Sequence, residues 1–307
     1  MPRPAADSPV SARVARVRRG LVVRANSLLI TVYGDAIAPR NQAAWLGSLI
    51  ALAEPFGLSS RLVRTSAFRL AADDWFATSR MGRRSFYGLS AIGLQRVQHA
   101  DRRIYERDPP AWDGCWTLVM LDGGMRASAR QHLRRELLWE GFGQVSPQLF
   151  AHPHAEHPSL AEILKTAQAE DQAAVLRASS IEGYARKPLQ TIMHDTFQLT
   201  DVARAWQQFI ARFAPLLEDM QALNPAEAFF VRTLLVHEYR RVLLRDPSLP
   251  QALLPADWPG LRARALWATL YRGLLAASEQ FLTTQVETSD GALAATPQAI
   301  AHRLLRP

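Results

Sequence analysis

Arg61, Arg64, Thr65, Phe68 and Arg69 recur at spacings that an α-helix gathers onto one side. At about 100° per residue they spread over an arc of roughly 140°, while Leu62, Val63, Ser66, Ala67 and Leu70 collect opposite. Such a helix packs by its apolar side and presents guanidinium groups on the other. Arginine bonds guanine O6 and N7 bidentately, threonine can touch a thymine methyl, and both can hold phosphates, which is the chemistry of a major-groove reader. The plainer reading is a solvated charged face. A second cationic group follows at once, in the run Arg80-Met81-Gly82-Arg83-Arg84. Three arginines on one tight turn suit a β-hairpin tip that lies along a phosphate backbone or enters the narrow minor groove.

Other reactive side chains give weaker patterns. The run His237-Glu238-Tyr239-Arg240-Arg241 lacks the second histidine that a zinc-protease helix needs, because Arg241 stands in its place. His237, Arg240, Arg241 and Trp258 form a candidate ligand-binding set whose guanidinium groups suit bidentate contact with ligand phosphates. A structural ion-pair network with Asp246 is the alternative, and the sequence leaves both open. His152, His154 and His157 alternate with prolines without a carboxylate or thiol at metal-ligand spacing, so no metal is expected there. Asp122 precedes Gly123-Gly124 and reads as turn chemistry, although a metal-dependent nuclease would place a carboxylate there. Cys115 beside Trp116 fits a strand core better than a nucleophile. With no G-x-S-x-G elbow, P-loop or dinucleotide fingerprint, neither an enzyme nor a cofactor is expected.

The elements that must position the arginines are legible around them. Residues 43–53 can form an amphipathic helix, Phe56-Gly57-Leu58 a tight turn, and Ser59 or Ser60 an N-cap for the arginine-bearing helix. Two short strands, Trp75 to Thr78 and Phe86 to Leu89, flank the arginine turn, and Ser90 caps a helix whose Ile92, Val97, Ala100 and Ile104 share a face. Helix, turn, helix and wing in this order predict a winged helix-turn-helix over residues 21–108. Residues 1–20 read as a solvated basic arm without helical periodicity. Asp108-Pro109-Pro110 ends the domain.

Residues 111–187 alternate strands (Cys115 to Leu121, Gln144 to His152, Ala173 to Ser179) with helices (Arg126 to Trp139, Ser159 to Glu170), predicting a ferredoxin-like α/β domain. Residues 196–307 read as all-helical. Val202, Trp206, Phe209, Ile210, Phe213, Leu217 and Met220 keep the spacing of one buried face, which Pro215 should interrupt. Asn224-Pro225-Ala226-Glu227 combines an N-cap, a first-turn proline and a capping-box carboxylate. That helix should run to Asp246-Pro247, and a further one should span Gly260 to Phe281. The fold class is therefore α+β, with an N-terminal winged helix-turn-helix, a central ferredoxin-like domain and a C-terminal all-helical domain.

Charge supports the assignment of the first domain. Residues 1–110 hold 17 arginines against 8 acidic residues, whereas residues 111–307 hold 19 basic against 20 acidic ones. Basic groups concentrated on one module are the footprint of a polyanion reader. Lys165 and Lys187 are the only lysines, so arginine is favoured throughout, yet the rest of the chain uses it in balance. A single cysteine fits a reducing compartment, and a cytoplasmic address is expected. Arg24 breaks the apolar stretch after Gly20 and no small-residue cleavage site follows, so a signal peptide is not expected, and no run reaches membrane-spanning length.

Six stretches give the chain a resemblance to a known family: Ser27 to Arg40 (SLLITVYGDAIAPR), Trp45 to Leu70 (WLGSLIALAEPFGLSSRLVRTSAFRL), Gly82 to Tyr87 (GRRSFY), Trp112 to Leu118 (WDGCWTL), Leu234 to Pro247 (LLVHEYRRVLLRDP) and Leu249 to Gly260 (LPQALLPADWPG). Together they resemble the PaaX family of bacterial transcriptional repressors, which control phenylacetate degradation. The resemblance implies a homodimer that binds a double-stranded DNA operator, an imperfect palindrome, and is released by phenylacetyl-CoA or a related acyl-CoA effector. It implies helix contacts from Arg61, Arg64, Thr65 and Arg69 and wing contacts from Arg83 and Arg84. It also implies a central domain similar to the small nucleases of CRISPR adaptation. The rivals are a metal-dependent nuclease built on that central domain, and a helical protein-interaction module without a small ligand.

Overall fold

A computed structural model describes residues 12–105, 112–153, 155, 157–181, 189–297 and 300. The chain divides into two compact units, one of residues 1–107, 208–240 and 262–307, the other of residues 108–207 and 241–261. The helical C-terminal segment is thus shared between them in sequence.

The first unit opens with α1 (Ala12–Arg18) and α2 (Ala25–Val32), which continues through a π-helical turn, Tyr33–Ile37, and a 3-10 turn, Ala38–Arg40. Next come β1 (Ala44–Trp45), α3 (Leu46–Ala53), α4 (Ser60–Ala72), β2 (Phe76–Met81), β3 (Arg84–Leu89) and α5 (Ala91–Tyr105). Two expectations need correction here. Residues 12–18 are helical, and Val14 and Val17 are buried, so this part of the arm is docked. Ala44 and Trp45 belong to a strand, paired with Tyr87 and Phe86, and the helix starts only at Leu46. A pairing across some forty residues leaves no mark on helical periodicity. Ser90 does cap α5, accepting from Gly93 N at 2.9 Å. Ile92 is exposed, however, and Val97, Ile104 and Tyr105 make the buried face.

The second unit contains β4 (Cys115–Leu121), α6 (Ala127–Glu140), β5 (Gly143–Ser146), β6 (Leu149–His152), α7 (His157–Thr166), β7 (Ala173–Ser179) and α8 (Leu189–Thr196). The expected single strand from Gln144 to His152 is a hairpin turning at Pro147-Gln148, as the proline requires. Sheet order is β5-β6-β4-β7, all antiparallel, which is the ferredoxin-like βαββαβ arrangement. Val119, Leu133, Leu137, Phe150 and Leu160 fill the space between sheet and helices. At the start of β4, Asp113 Oδ1 accepts from Cys115 N at 2.9 Å and Trp112 Nε1 donates to Cys115 O at 2.8 Å. Asp113 also pairs with Arg177 of β7. The backbone N–H of Cys115 and this guanidinium hold the Asp113 carboxyl below its ordinary value. The Trp-Asp-Gly-Cys run is therefore the clasp that registers β4 against the edge strand β7.

The remaining elements are α9 (Leu199–Phe213), α10 (Leu216–Asp219), α11 (Pro225–Leu243), α12 (Pro259–Gln285), β8 (Glu287–Thr288) and β9 (Gly291–Ala292). Pro215 separates α9 from α10 and shifts the helical phase, so Leu216 is buried where Leu217 was expected. The capping box of α11 is reciprocal: Glu227 N donates to Asn224 Oδ1 at 3.0 Å, and Asn224 N to Glu227 Oε2 at 3.1 Å. This last third is not wholly helical, because β8 pairs with β1 and extends the wing sheet to the order β2-β3-β1-β8-β9.

A buried polar cluster ties the first unit together. Arg232 of α11 is 1 % exposed, so its charge must be answered within the protein. Its Nε lies 2.8 Å from Asp35 Oδ2 in the π turn, and its Nη1 2.5 Å from Glu279 Oε1 of α12. Tyr105 and Tyr271 both donate to Asp35 Oδ1, at 2.7 and 2.8 Å. Arg40 pairs with Glu279, and Thr296 donates to the same carboxylate at 2.7 Å. Burial works against the Arg232 cation, but Asp35, Tyr271 and Glu279 together hold its pKa well above the ordinary arginine value. Burial likewise opposes the Glu279 carboxylate, and Arg232, Thr296 and Arg40 outweigh it and hold Glu279 below the usual range.

Candidate nucleic-acid interface

The arginine helix forms as a consequence of the turn before it. A 3-10 turn, Glu54–Phe56, ends α3, and Gly57 then takes φ +79°, a left-handed conformation that a residue with a Cβ adopts at a cost. Ser59 stays extended and its Oγ accepts from Leu62 N at 3.3 Å, capping α4. Val63, Ser66, Ala67 and Leu70 are buried, so the inward face of α4 is fixed by packing. Leu62, expected on that face, is 45 % exposed instead.

Arg61, Arg64, Thr65, Phe68 and Arg69 are all exposed, with Phe68 at 70 %. Arg64 Nε donates weakly to Ser60 Oγ at 3.4 Å, one turn back toward the helix start. Thr65 Oγ1 donates to Arg61 O at 3.0 Å, which satisfies its hydroxyl and leaves its methyl for apolar contact. An exposed phenyl ring among guanidinium groups is costly in water, about 1.5–3 kcal/mol relative to burial. The same ring is useful against a thymine methyl.

The wing differs from its expected form. Strands β2 and β3 run to Met81 and Arg84, so the loop is only Gly82-Arg83. Gly82 has φ +60° at the first loop position, the geometry of a tight hairpin that matches strand twist. Only Arg83 therefore sits in the turn, while Arg80 and Arg84 flank it on the strands, all three exposed. Arg84 is engaged: it pairs with Glu287 of β8, and its guanidinium carbon lies 4.7 Å from the Trp45 ring centroid. Neither partner was foreseen, and one is 203 positions away in sequence.

The other candidate residues do not assemble into one described site. His237 is buried with Nδ1 3.1 Å from Thr31 Oγ1, and Arg240 Nη2 donates to Ser27 Oγ at 3.3 Å, both within the first unit. Arg240 is largely buried, which lowers its pKa, and the charges of Tyr105 and Asp101 oppose that shift. Arg241 and the buried Trp258 belong to the second unit. Asp246 accepts from Trp206 Nε1 at 2.6 Å and from Ser248 N at 2.8 Å. Asp122 Oδ1 accepts from Gly124 N at 3.1 Å, the turn expected of Asp before glycine. His152 packs against Phe142, His154 lies outside the described residues, and so does the side chain of His157. Among the described residues no three His, Cys, Asp or Glu side chains group to hold a metal ion, and no helix is long and apolar enough to cross a membrane.

Comparison with known proteins covers the same three segments. Family models match residues 24–93 (PaaX-like protein), 109–189 (PaaX protein central Cas2-like domain) and 197–284 (PaaX-like protein C-terminal domain). The Transcriptional repressor PaaX of Escherichia coli (strain K12) is 38 % identical over 277 residues, 89 % of this chain and 87 % of that protein. The uncharacterized protein Rv0674 from Mycobacterium tuberculosis shares the fold, with a TM-score of 0.51 and 24 % identity over 82 % of this chain and 96 % of that one. On the strength of the long match to the repressor and of family models along most of its length, the chain belongs to the PaaX family.

Proposed function

We propose that this protein is a homodimeric, cytoplasmic transcriptional repressor of phenylacetate catabolism that binds operator DNA and is released by phenylacetyl-CoA or a related acyl-CoA. The observation that carries the DNA-binding part is the exposed face of α4, Arg61, Arg64, Thr65, Phe68 and Arg69, beside a hairpin with Arg80, Arg83 and Arg84. A repressor as its 38 % identical relative supports the regulatory part. Two copies of α4 would enter successive major grooves about 34 Å apart on an imperfect palindrome. The acyl-CoA effector rests on the family resemblance alone.

The test is fluorescence anisotropy of the full chain on duplexes tiled across its own promoter region, with and without phenylacetyl-CoA. Saturable binding to one tile, reversed by the thioester and not by free phenylacetate, is the expected result. A coupling of about 1–3 kcal/mol would change operator affinity about 5- to 150-fold. Thermal melting gives an independent reading: thioester at about 100 times its Kd should add about 2.7 kcal/mol, and an unmoved Tm would count against a pocket. The nuclease rival predicts cleavage of the duplex in Mg²⁺ or Mn²⁺ that Asp122→Ala abolishes; an intact, shifted duplex speaks for the repressor.

The Arg84–Glu287 pair carries its own expectation. Glu287 competes with phosphate for a wing guanidinium, so Glu287→Gln should tighten binding to any duplex. The slope of log K against log salt should steepen by about 0.9, one added phosphate contact. An unchanged slope would place Arg84 outside the interface.

A further inference from the structure

We infer that the arginines of residues 16–24 form a third DNA-contacting element, which grips the phosphodiester backbone beside the groove that α4 enters. This rests on the DNA-binding reading and adds a contact that neither α4 nor the wing supplies. The segment is built rather than loose. Val14 and Val17 are each 1 % exposed, which anchors α1, and Arg212 Nη1 donates at 2.7 Å to both Val17 O and Arg19 O, closing its C-terminal end. The anchored end stands at the helix-turn-helix: a Cβ placed on Gly57 would collide with Arg18 Nη2. Gly57 lies three residues before Ser60, the start of α4. Recognition helices bring this end into the groove, and phosphates gather where its backbone N–H groups point.

The charge is also unanswered among the described residues. Arg16, Arg18, Arg19 and Arg24 are all exposed, and none pairs with a described carboxylate. Four cations held within nine residues repel one another, and a polyanion relieves that repulsion while releasing its counterions. Held at the turn before α4, they would meet sugar-phosphate edges and not base edges, so their contribution is to affinity and register without sequence preference.

The experiment compares the full-length wild type with Arg16→Gln/Arg18→Gln/Arg19→Gln, with Arg16→Lys/Arg18→Lys/Arg19→Lys and with Arg64→Ala. Binding to a labelled duplex of about 30 base pairs and arbitrary sequence is followed between about 50 and 200 mM salt. The glutamine variant should lose about 2–3 from the magnitude of the slope of log K against log salt, one unit for each lost phosphate contact. The lysine variant should keep that slope, because charge and not shape is what the backbone meets. A wild-type slope in the glutamine variant overturns the inference while Arg64→Ala still reports on α4. A slope lost equally in the lysine variant assigns the effect to packing and overturns it too. A wild type that binds no duplex removes the DNA-binding reading, and this inference with it.

Discussion

Asp35→Ala is expected to destabilise the protein by about 3–5 kcal/mol, because it strips one of the two carboxylates that answer an arginine that is 1 % exposed and leaves Glu279 shared between Arg232 and Arg40. The loss would consume a large share of the roughly 5–15 kcal/mol that holds a typical fold. Asp35 also receives the Tyr105 and Tyr271 hydroxyls, so two further buried donors would lose their acceptor. Urea denaturation measures this directly, and a change below about 1 kcal/mol would refute the account. Replacing both charges, with Asp35→Leu and Arg232→Met together, should recover the part of the loss that lies in the uncompensated cation, while the bonds of Tyr105 and Tyr271 to Asp35 stay lost. The same cluster fixes a pH dependence. Glu279 is held below its ordinary value in the folded protein. Its contribution is therefore present above the unfolded carboxyl pKa, near 4.3, and is lost as pH falls through the lower folded value.

Arg64→Ala is expected to weaken operator binding by about 1–3 kcal/mol, roughly 5- to 150-fold, and to relax preference at one base position. Its place on the exposed face of α4, with only a 3.4 Å bond to Ser60 to give up, leaves its guanidinium available for a base edge. Arg83→Ala, at the tip of the hairpin, should instead reduce affinity evenly across sequences and flatten the salt slope by about 0.9. Anisotropy on the operator and on single-base variants separates the two behaviours. Equal loss on every duplex for Arg64→Ala would demote it to a phosphate contact.

The elements of α4, its cap and its buried face were legible because all the determinants lie within fourteen residues: Ser59 before, Val63, Ala67 and Leu70 along one side. The central domain was legible for the same reason, apart from the Pro147 hairpin, which merged two strands into one apparent run. What local pattern could not show was made of distant partners. The strand at Ala44–Trp45 exists because Tyr87 and Thr288 are there to pair with it. Arg84 looked like an unencumbered wing cation because Glu287 is far along the chain. Residues 12–18 looked like a tail because the clamp from Arg212 belongs to another helix. For the candidate ligand set the sequence placed four residues in one group, and the structure assigns them to two units.

The sheet beneath the wing is completed by residues that the ribosome adds some 240 positions after β1. Until Glu287 and Thr288 have been made, β1 keeps a bare edge. Until Arg232 has been made, the Asp35 carboxylate lacks its ion pair with that guanidinium. The amino-terminal domain is thus not autonomous: a truncated product ending near residue 110 would leave an open strand edge, an invitation to aggregation. Premature termination would then yield no folded copy of the first domain alone, a safeguard arising from chain order.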